Sequence, residues 1–301
     1  MIRYLRNIQS DFAGFTELTE LYAAAQTDKF PEVEINLSRI TSFDANMCAP
    51  FGAVLAKLAD AYKVISLVDA PSPSGSSSSY YWATPPKPTI QSTLERNGFL
   101  ANFGWPPPKD ANPTSLPYQR FKLAETKVFD KYLAAHLPGK GLPTMTSDFA
   151  LLFQQSLFEI FANASWHSNS KLGAFSCGQF FPMHHRLDIS IADAGIGIPR
   201  KVNEAFGVTL SPVAALRWAL REGHTTKKGL PGGVGLKLLK DFIQINGGCV
   251  QIASGGAFWE FKAGKETFWP FAQPFPGTAV NLEVNTDDPR IYHLAVTGVQ
   301  A

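Results

Sequence analysis

The chain has 301 residues, 45% of them hydrophobic and 17% charged; this is enough apolar material for two ordinary domains and too little charge for a disordered protein. Its 27 basic and 25 acidic residues leave a net charge of +2, so no basic excess points to nucleic acid or to an anionic membrane. Cys48, Cys177 and Cys249 lack CxxC spacing and read as buried small residues, not as a zinc site or a disulfide framework. The first residues lack the apolar core of a signal peptide, and no apolar run reaches the roughly 18 residues that span a bilayer, so a cytoplasmic location is expected.

From residue 33, Val33, Ile35 and Leu37 alternate with Glu32, Glu34 and Asn36, the period of a half-buried strand. Residues 50–62 then carry Phe51, Val54, Leu55 and Leu58 at the three-and-four spacing of an amphipathic helix. Residues 64–68 follow as a buried strand, completing a βαβ unit with a parallel pair. The Ser- and Pro-rich residues 71–89 read as an insertion in a loop. A helix over residues 90–100 resumes the same domain, and Gly98 is placed to end it in a left-handed cap. On residues 33–44, the helix after them, residues 64–68 and residues 93–99, this first third resembles the STAS domain of anti-sigma-factor antagonists. Phosphorylated members of that family carry Ser or Thr directly after the aspartate, whereas this chain has Asp44-Ala45-Asn46. The resemblance therefore implies docking or scaffolding, not a phosphoacceptor.

Trp105-Pro106-Pro107-Pro108 and Asn112-Pro113 break any helix and mark a boundary. A short strand over residues 118–123 and a helix over 129–137 are expected within the connector, before residues 138–143 interrupt again. Ser147 and Asp148 are N-cap candidates for a helix running to about residue 165. On it Glu159 and Asn163, four apart, share a stripe beside the apolar face; taken alone, that pair reads as an exposed polar stripe. Residues 187–193 alternate as a strand that delivers Asp193 at its end, and Gly195 and Gly197 allow a sharp turn and close backbone approach. The Gly-x-Gly lacks the third glycine and the distant acid of a dinucleotide site, so a Rossmann reading is rejected. Residues 229–235 hold four glycines before a helix that Asn246-Gly247-Gly248 should terminate; a glycine-rich entry to a helix N-terminus suits phosphate, although the GxxxxGK[ST] spacing of a P-loop is missing. Residues 249–253 and 257–262, separated by Ser254-Gly255-Gly256, read as a β-hairpin, and Gly277-Thr278 leads into a further strand.

In this order the motifs resemble the GHKL ATP-binding fold shared by DNA gyrase, histidine kinases, the MutL repair protein and anti-sigma-factor serine kinases. The likeness covers residues 145–285: the N box at Glu159-Ile-Phe-Ala-Asn163, the first glycine box at Asp193-Ala-Gly195-Ile-Gly197, the second at Gly233-Val234-Gly235-Leu236, and the closing Gly277-Thr278. The fold so implied is α/β: a STAS-like α/β domain (1–110), a connector (111–143) and a Bergerat-type α/β sandwich, a mixed sheet covered by helices (144–301).

The resemblance implies ATP and Mg²⁺ as cofactors. Asp193 would accept from the adenine amino group with Thr278 nearby, and Asn163 would ligate Mg²⁺. Glu159 would be the general base. Gly195 and Gly197 would let the backbone approach the ligand, and Gly232, Gly233 and Gly235 would hold phosphates, with Val234 and Leu236 beside them in the second glycine box. Thr225, Thr226 and Lys227 would add donors on a lid over residues 221–233. Lys237 departs from the glycine usual in sensor histidine kinases. About 16 residues follow Asn285, so no transducer domain is expected, and no upstream histidine has the context of a phosphoacceptor helix. The expected function is a cytoplasmic Mg-ATP-binding regulatory protein, with protein serine/threonine kinase activity of the anti-sigma type as its catalytic form. The alternative is an ATP-gated switch or scaffold with little hydrolysis. Expected partners are ATP or ADP and a protein, a second copy of the chain among the candidates, and neither nucleic acid nor a membrane is expected.

Overall fold

The computed structural model describes residues 1–61, 63–68, 88–108, 113–221, 224, 234–295 and 298–300. The N-terminal layer comprises β1 (Ile2–Tyr4), α1 (Phe12–Thr27), β2 (Glu32–Asn36), α2 (Cys48–Asp60), β3 (Val64–Val68) and α3 (Pro88–Arg96). Its sheet runs β1-β2-β3 and is parallel throughout. Parallel neighbours need a crossover, which α1 and α2 supply in turn. Gly98, after α3, has φ of +80°, the left-handed region expected there. The sequence reading omits β1 and α1, although Phe12, Phe15, Leu18, Leu21 and Ala25 keep helical spacing and Asp11 caps α1 through the Gly14 N–H at 2.7 Å. The expected insertion lies outside the described residues up to position 87.

The rest of the chain supplies β4 (Ser115–Phe121), α4 (Thr126–His136), β5 (Thr144–Met145), α5 (Ser147–Ala162), a π-helical turn (Asn163–His167), β6 (Ala174–Phe181), β7 (Arg186–Asp193), α6 (Ile198–Phe206), α7 (Pro212–Ala219), α8 (Val234–Asn246), β8 (Cys249–Lys262), β9 (Lys265–Asn285), β10 (Ile291–Ala295) and β11 (Gly298–Gln300). Five strands form one sheet in the order β4-β6-β7-β9-β8, and β5, β10 and β11 form a small second sheet. Three sequence expectations need correction here. The large sheet is antiparallel at every pairing, not mixed, because short turns join β6 to β7 and β8 to β9. The hairpin turn lies at Ala263-Gly264, both at positive φ, while Ser254-Gly255-Gly256 is a bulged stretch inside a continuous β8. Thr146, not Ser147 or Asp148, occupies the N-cap of α5, without a side-chain bond to the helix. Residues 115–136 of the expected connector form the edge strand β4 and the helix α4.

Both faces of the large sheet are covered. On one face Leu187, Ile189 and Ile191 of β7 pack with Phe153, Leu157 and Phe161 of α5 and with Leu239 and Phe242 of α8. On the other, Phe175, Ala192, Phe258 and Phe275 join Phe15, Leu18, Phe51 and Val54 of the N-terminal layer in a single core. Phe15 meets Phe258 and Phe275 at ring-centroid distances of 5.6 and 5.9 Å. A polar seam runs beside these rings: Asn46 Nδ2 donates to Ser190 Oγ at 3.0 Å, Ser190 Oγ donates to Asn281 Oδ1, and Gln251 Nε2 donates to the Ser10 carbonyl at 2.8 Å. Asn46 is fully buried, so these bonds meet the cost of taking its amide out of water. All three cysteines are buried free thiols. Among the described residues no helix is long and apolar enough to cross a membrane.

Because Phe15 bridges the layers, Phe15→Ala is expected to lower unfolding free energy by about 3–5 kcal/mol. Urea titration followed by tryptophan fluorescence and far-UV circular dichroism measures this, and the two signals should move together.

Candidate functional site

The helical face of the sheet holds a cavity of about 210 Å³, walled by α5, α6, α7, α8, the end of β7 and inner residues of β8 and β9. Glu159, Asn163, Asp193, Gly197, Leu236 and Thr278 all line it. They come from four separated parts of the chain.

Glu159 and Asn163 reach the cavity together because one helical turn separates them and the Asn163 N–H still donates to the Glu159 carbonyl. Asn163 opens the π-helical turn, an irregularity that often marks functional positions. Glu159 Oε2 accepts from the Gly235 N–H at 2.8 Å, so the carboxylate of α5 satisfies an otherwise orphan amide in the first turn of α8. Gly235 packs close to α5: a Cβ there would stand 2.6 Å from Glu159 Oε2 and 3.1 Å from Ser156 Cα, so a larger residue would displace the carboxylate from the Gly235 amide.

Asp193 ends β7 with its side chain on the cavity side and 3% exposed. Its Oδ1 accepts from the Gly195 N–H at 2.7 Å. Burial pushes its carboxyl up to about 7, and the Gly195 and Thr278 amides with Lys201 and Lys57 pull in the opposite direction. Gly195 is required by close approach: a Cβ would meet the Ser168 carbonyl oxygen at 2.0 Å, and the Ile196 N–H donates to that same carbonyl at 2.9 Å. Gly197, at φ of +78°, precedes α6. Ser254 Oγ accepts from the Ile198 N–H at 2.7 Å and lies 2.9 Å from Thr278 Oγ1, which ties the start of α6 to β8 and β9.

Val234 begins α8, and Gly235 and Leu236 follow within it. Thr225, Thr226, Lys227, Gly232 and Gly233 lie outside the described residues, as does most of the expected lid. Sequence reasoning missed Lys201, Trp218, His224 and Ser254. Lys201 lines the cavity one turn into α6, a position that amphipathic spacing after Gly197 makes findable. His224 Nδ1 lies 3.0 Å from the Trp218 carbonyl oxygen, with the two rings 4.7 Å apart. Ser254 was concealed by reading its segment as a turn.

Chemically, the cavity offers an acceptor at Asp193 on a largely apolar floor of Ile191, Ile252 and Val280. An amide oxygen at Asn163 and a carboxylate at Glu159 also line it. That pattern suits a flat heterocycle with a polar extension. Comparison with models of known protein families gives no match, and a search of curated proteins finds none similar to the chain.

The folded chain holds the Asp193 proton to about pH 7, while the unfolded chain releases it near pH 4. The native state therefore binds the extra proton between those values, and this residue's contribution to stability declines as pH rises through that window. Asp193→Asn is expected to stabilise the ligand-free protein by about 1–3 kcal/mol at pH 8 and to change it little near pH 4. Thermal unfolding of both forms at the two pH values measures the difference.

Proposed function

We propose that the chain is a Mg-ATP-binding regulatory protein of the GHKL type. One observation carries this reading: the N-box pair Glu159 and Asn163, the glycine-box residues Asp193, Gly197 and Leu236, and Thr278 surround one cavity although up to 119 residues separate them. In this reading Asp193 accepts from the adenine amino group and excludes bases that present an acceptor there. Gly195 and Gly197 shape the edge of the base site. Asn163 supplies a hard amide oxygen that would hold Mg²⁺. The ion, when bound, neutralises phosphate charge. In the kinase form, the γ-phosphoryl group passes to a substrate hydroxyl, ADP departs, and Glu159 takes the hydroxyl proton.

A second reading, an ATP-gated switch with little turnover, is favoured by the bond from the Gly235 N–H to Glu159 Oε2. A carboxylate engaged at the start of α8 must leave that amide before it can act as a base, so the bond links helix position to catalytic competence. The N-terminal layer covers the sheet face opposite the cavity, and Asn46 is buried in the seam. This arrangement favours support of the site from behind over presentation of residues 44–46 to the bound phosphates.

Calorimetric titration with ATP in the presence and absence of Mg²⁺, followed by timed ADP release, tests the reading. The wild-type chain should bind ATP, and Asp193→Asn should bind about ten- to a hundredfold more weakly while remaining folded. Glu159→Ala should retain binding; loss of ADP release in that variant supports the kinase form, and negligible release in both proteins supports the switch. Absence of ATP affinity in the folded wild-type chain would overturn the proposal.

A further inference from the structure

Lys57 lies in the last turn of α2, within the N-terminal layer. Its Nζ donates to the carbonyl oxygen of Ala194 at 3.0 Å. Ala194 directly follows the cavity acid and is fully buried, and the turn it begins is closed by the bonds from the Gly195 N–H to Asp193 Oδ1 and from the Ile196 N–H to the Ser168 carbonyl. A cation from one layer is thus fastened to the backbone that orients the principal polar group of a cavity on the far face of the sheet. Around it, Ala49, Ala53 and Val54 of α2 share a core with Ala192, Ala194 and Ala279, small residues that let the helix approach closely.

We propose that Lys57 is a positioning residue through which the N-terminal layer sets the nucleotide affinity of the cavity, by holding the 193–197 turn through its bond to the Ala194 carbonyl. The inference deepens the nucleotide reading and rests on it. The charged groups that bear on Asp193 are Lys57 from α2 and Lys201 from α6; Glu159 from α5 and His224 line the same cavity. The amides of Gly195 and Thr278 bear on it from the backbone. An ionised Asp193 is the better acceptor for an adenine amino group, so affinity should rise with pH as the carboxyl loses its proton. Removing the Lys57 ammonium takes away one of the influences that favour ionisation, and the rise must then occur at higher pH. By linkage, a partner that displaces α2 weakens nucleotide binding, and bound nucleotide favours docking of the layer.

The test measures ATP dissociation constants with Mg²⁺ from pH 5.5 to 8.5 for the full-length wild type, Lys57→Met, Lys57→Gln, Lys57→Arg and Lys63→Met. Lys63 donates to the carbonyls of Asp28 and Phe30, within the N-terminal layer and away from Asp193, so it reports general loosening of that layer. Circular dichroism and melting curves establish which variants fold. Expected are weaker binding and an affinity midpoint shifted to higher pH in Lys57→Met and Lys57→Gln. Lys57→Arg should restore the wild-type midpoint, and Lys63→Met should leave it in place. A folded neutral Lys57 variant whose profile overlays the wild type, or an equal shift in Lys63→Met, overturns the coupling. If neither neutral variant folds, a Lys57→Arg midpoint that departs from the wild type also overturns it, and one that matches supports it. Failure of the wild type itself to bind ATP would defeat the nucleotide reading, whereas wild-type binding with unmoved Lys57 profiles defeats this inference alone.

Discussion

Strand β7 is buried on both faces, and the rest of the molecule is arranged around that constraint. Its side chains alternate, with Leu187, Ile189 and Ile191 in the helical core and Ala192 in the core shared with the N-terminal layer. A strand so enclosed cannot slip by one residue without exchanging its two faces. Its last residue, Asp193, is therefore delivered to the cavity side in a fixed register, paired opposite Thr278 of β9. The same enclosure keeps water from the carboxylate, which is why burial raises its proton affinity so far. The Gly195 and Thr278 amides offset part of the cost of burying this acid.

Helix α8 is held at both ends by side chains from distant parts of the chain. Glu159 accepts from the Gly235 amide at its start, and Arg290 donates to the Ile245 carbonyl at its end. Charges of these signs complement the helix dipole. Arg290 in turn pairs with Asp288, which also accepts from Asn246 and Tyr292, so the C-terminal anchor belongs to a closed network. Among the described residues, the N-terminal anchor is the Glu159 carboxylate beside the cavity. Any anion that competes for the Gly235 amide would release Glu159 while leaving the far end of the helix in place.

Much of the C-terminal layer was legible because its signals are local. The alternation before Asp193, the four-residue spacing of Glu159 and Asn163, and the glycines of the turn after β7 are each written within a few residues. Three features escaped for identifiable reasons. The Ser254-Gly255-Gly256 stretch carries turn composition, but a bulge uses the same residues, and only pairing with β9 distinguishes them. Strand β4 is expected as a short strand of the connector, but its membership in the large sheet depends on pairing with β6, about 60 residues further on. Lys57 belongs to a helix of ordinary amphipathic pattern, and nothing within its own segment signals that its ammonium meets Ala194, 137 residues away. Helix α1 is written locally, in the Asp11 cap and the spacing of Phe12, Phe15, Leu18 and Leu21.

The central claim is that the three motif segments form one ligand site. Hydrogen–deuterium exchange with and without Mg-ATP tests it most directly, since each segment reports separately. Nucleotide addition should protect the end of α5, the turn after β7 and the first turn of α8 simultaneously, with the β10 and β11 region unchanged. Protection of only one of those three segments, or of none at saturating nucleotide, would contradict it.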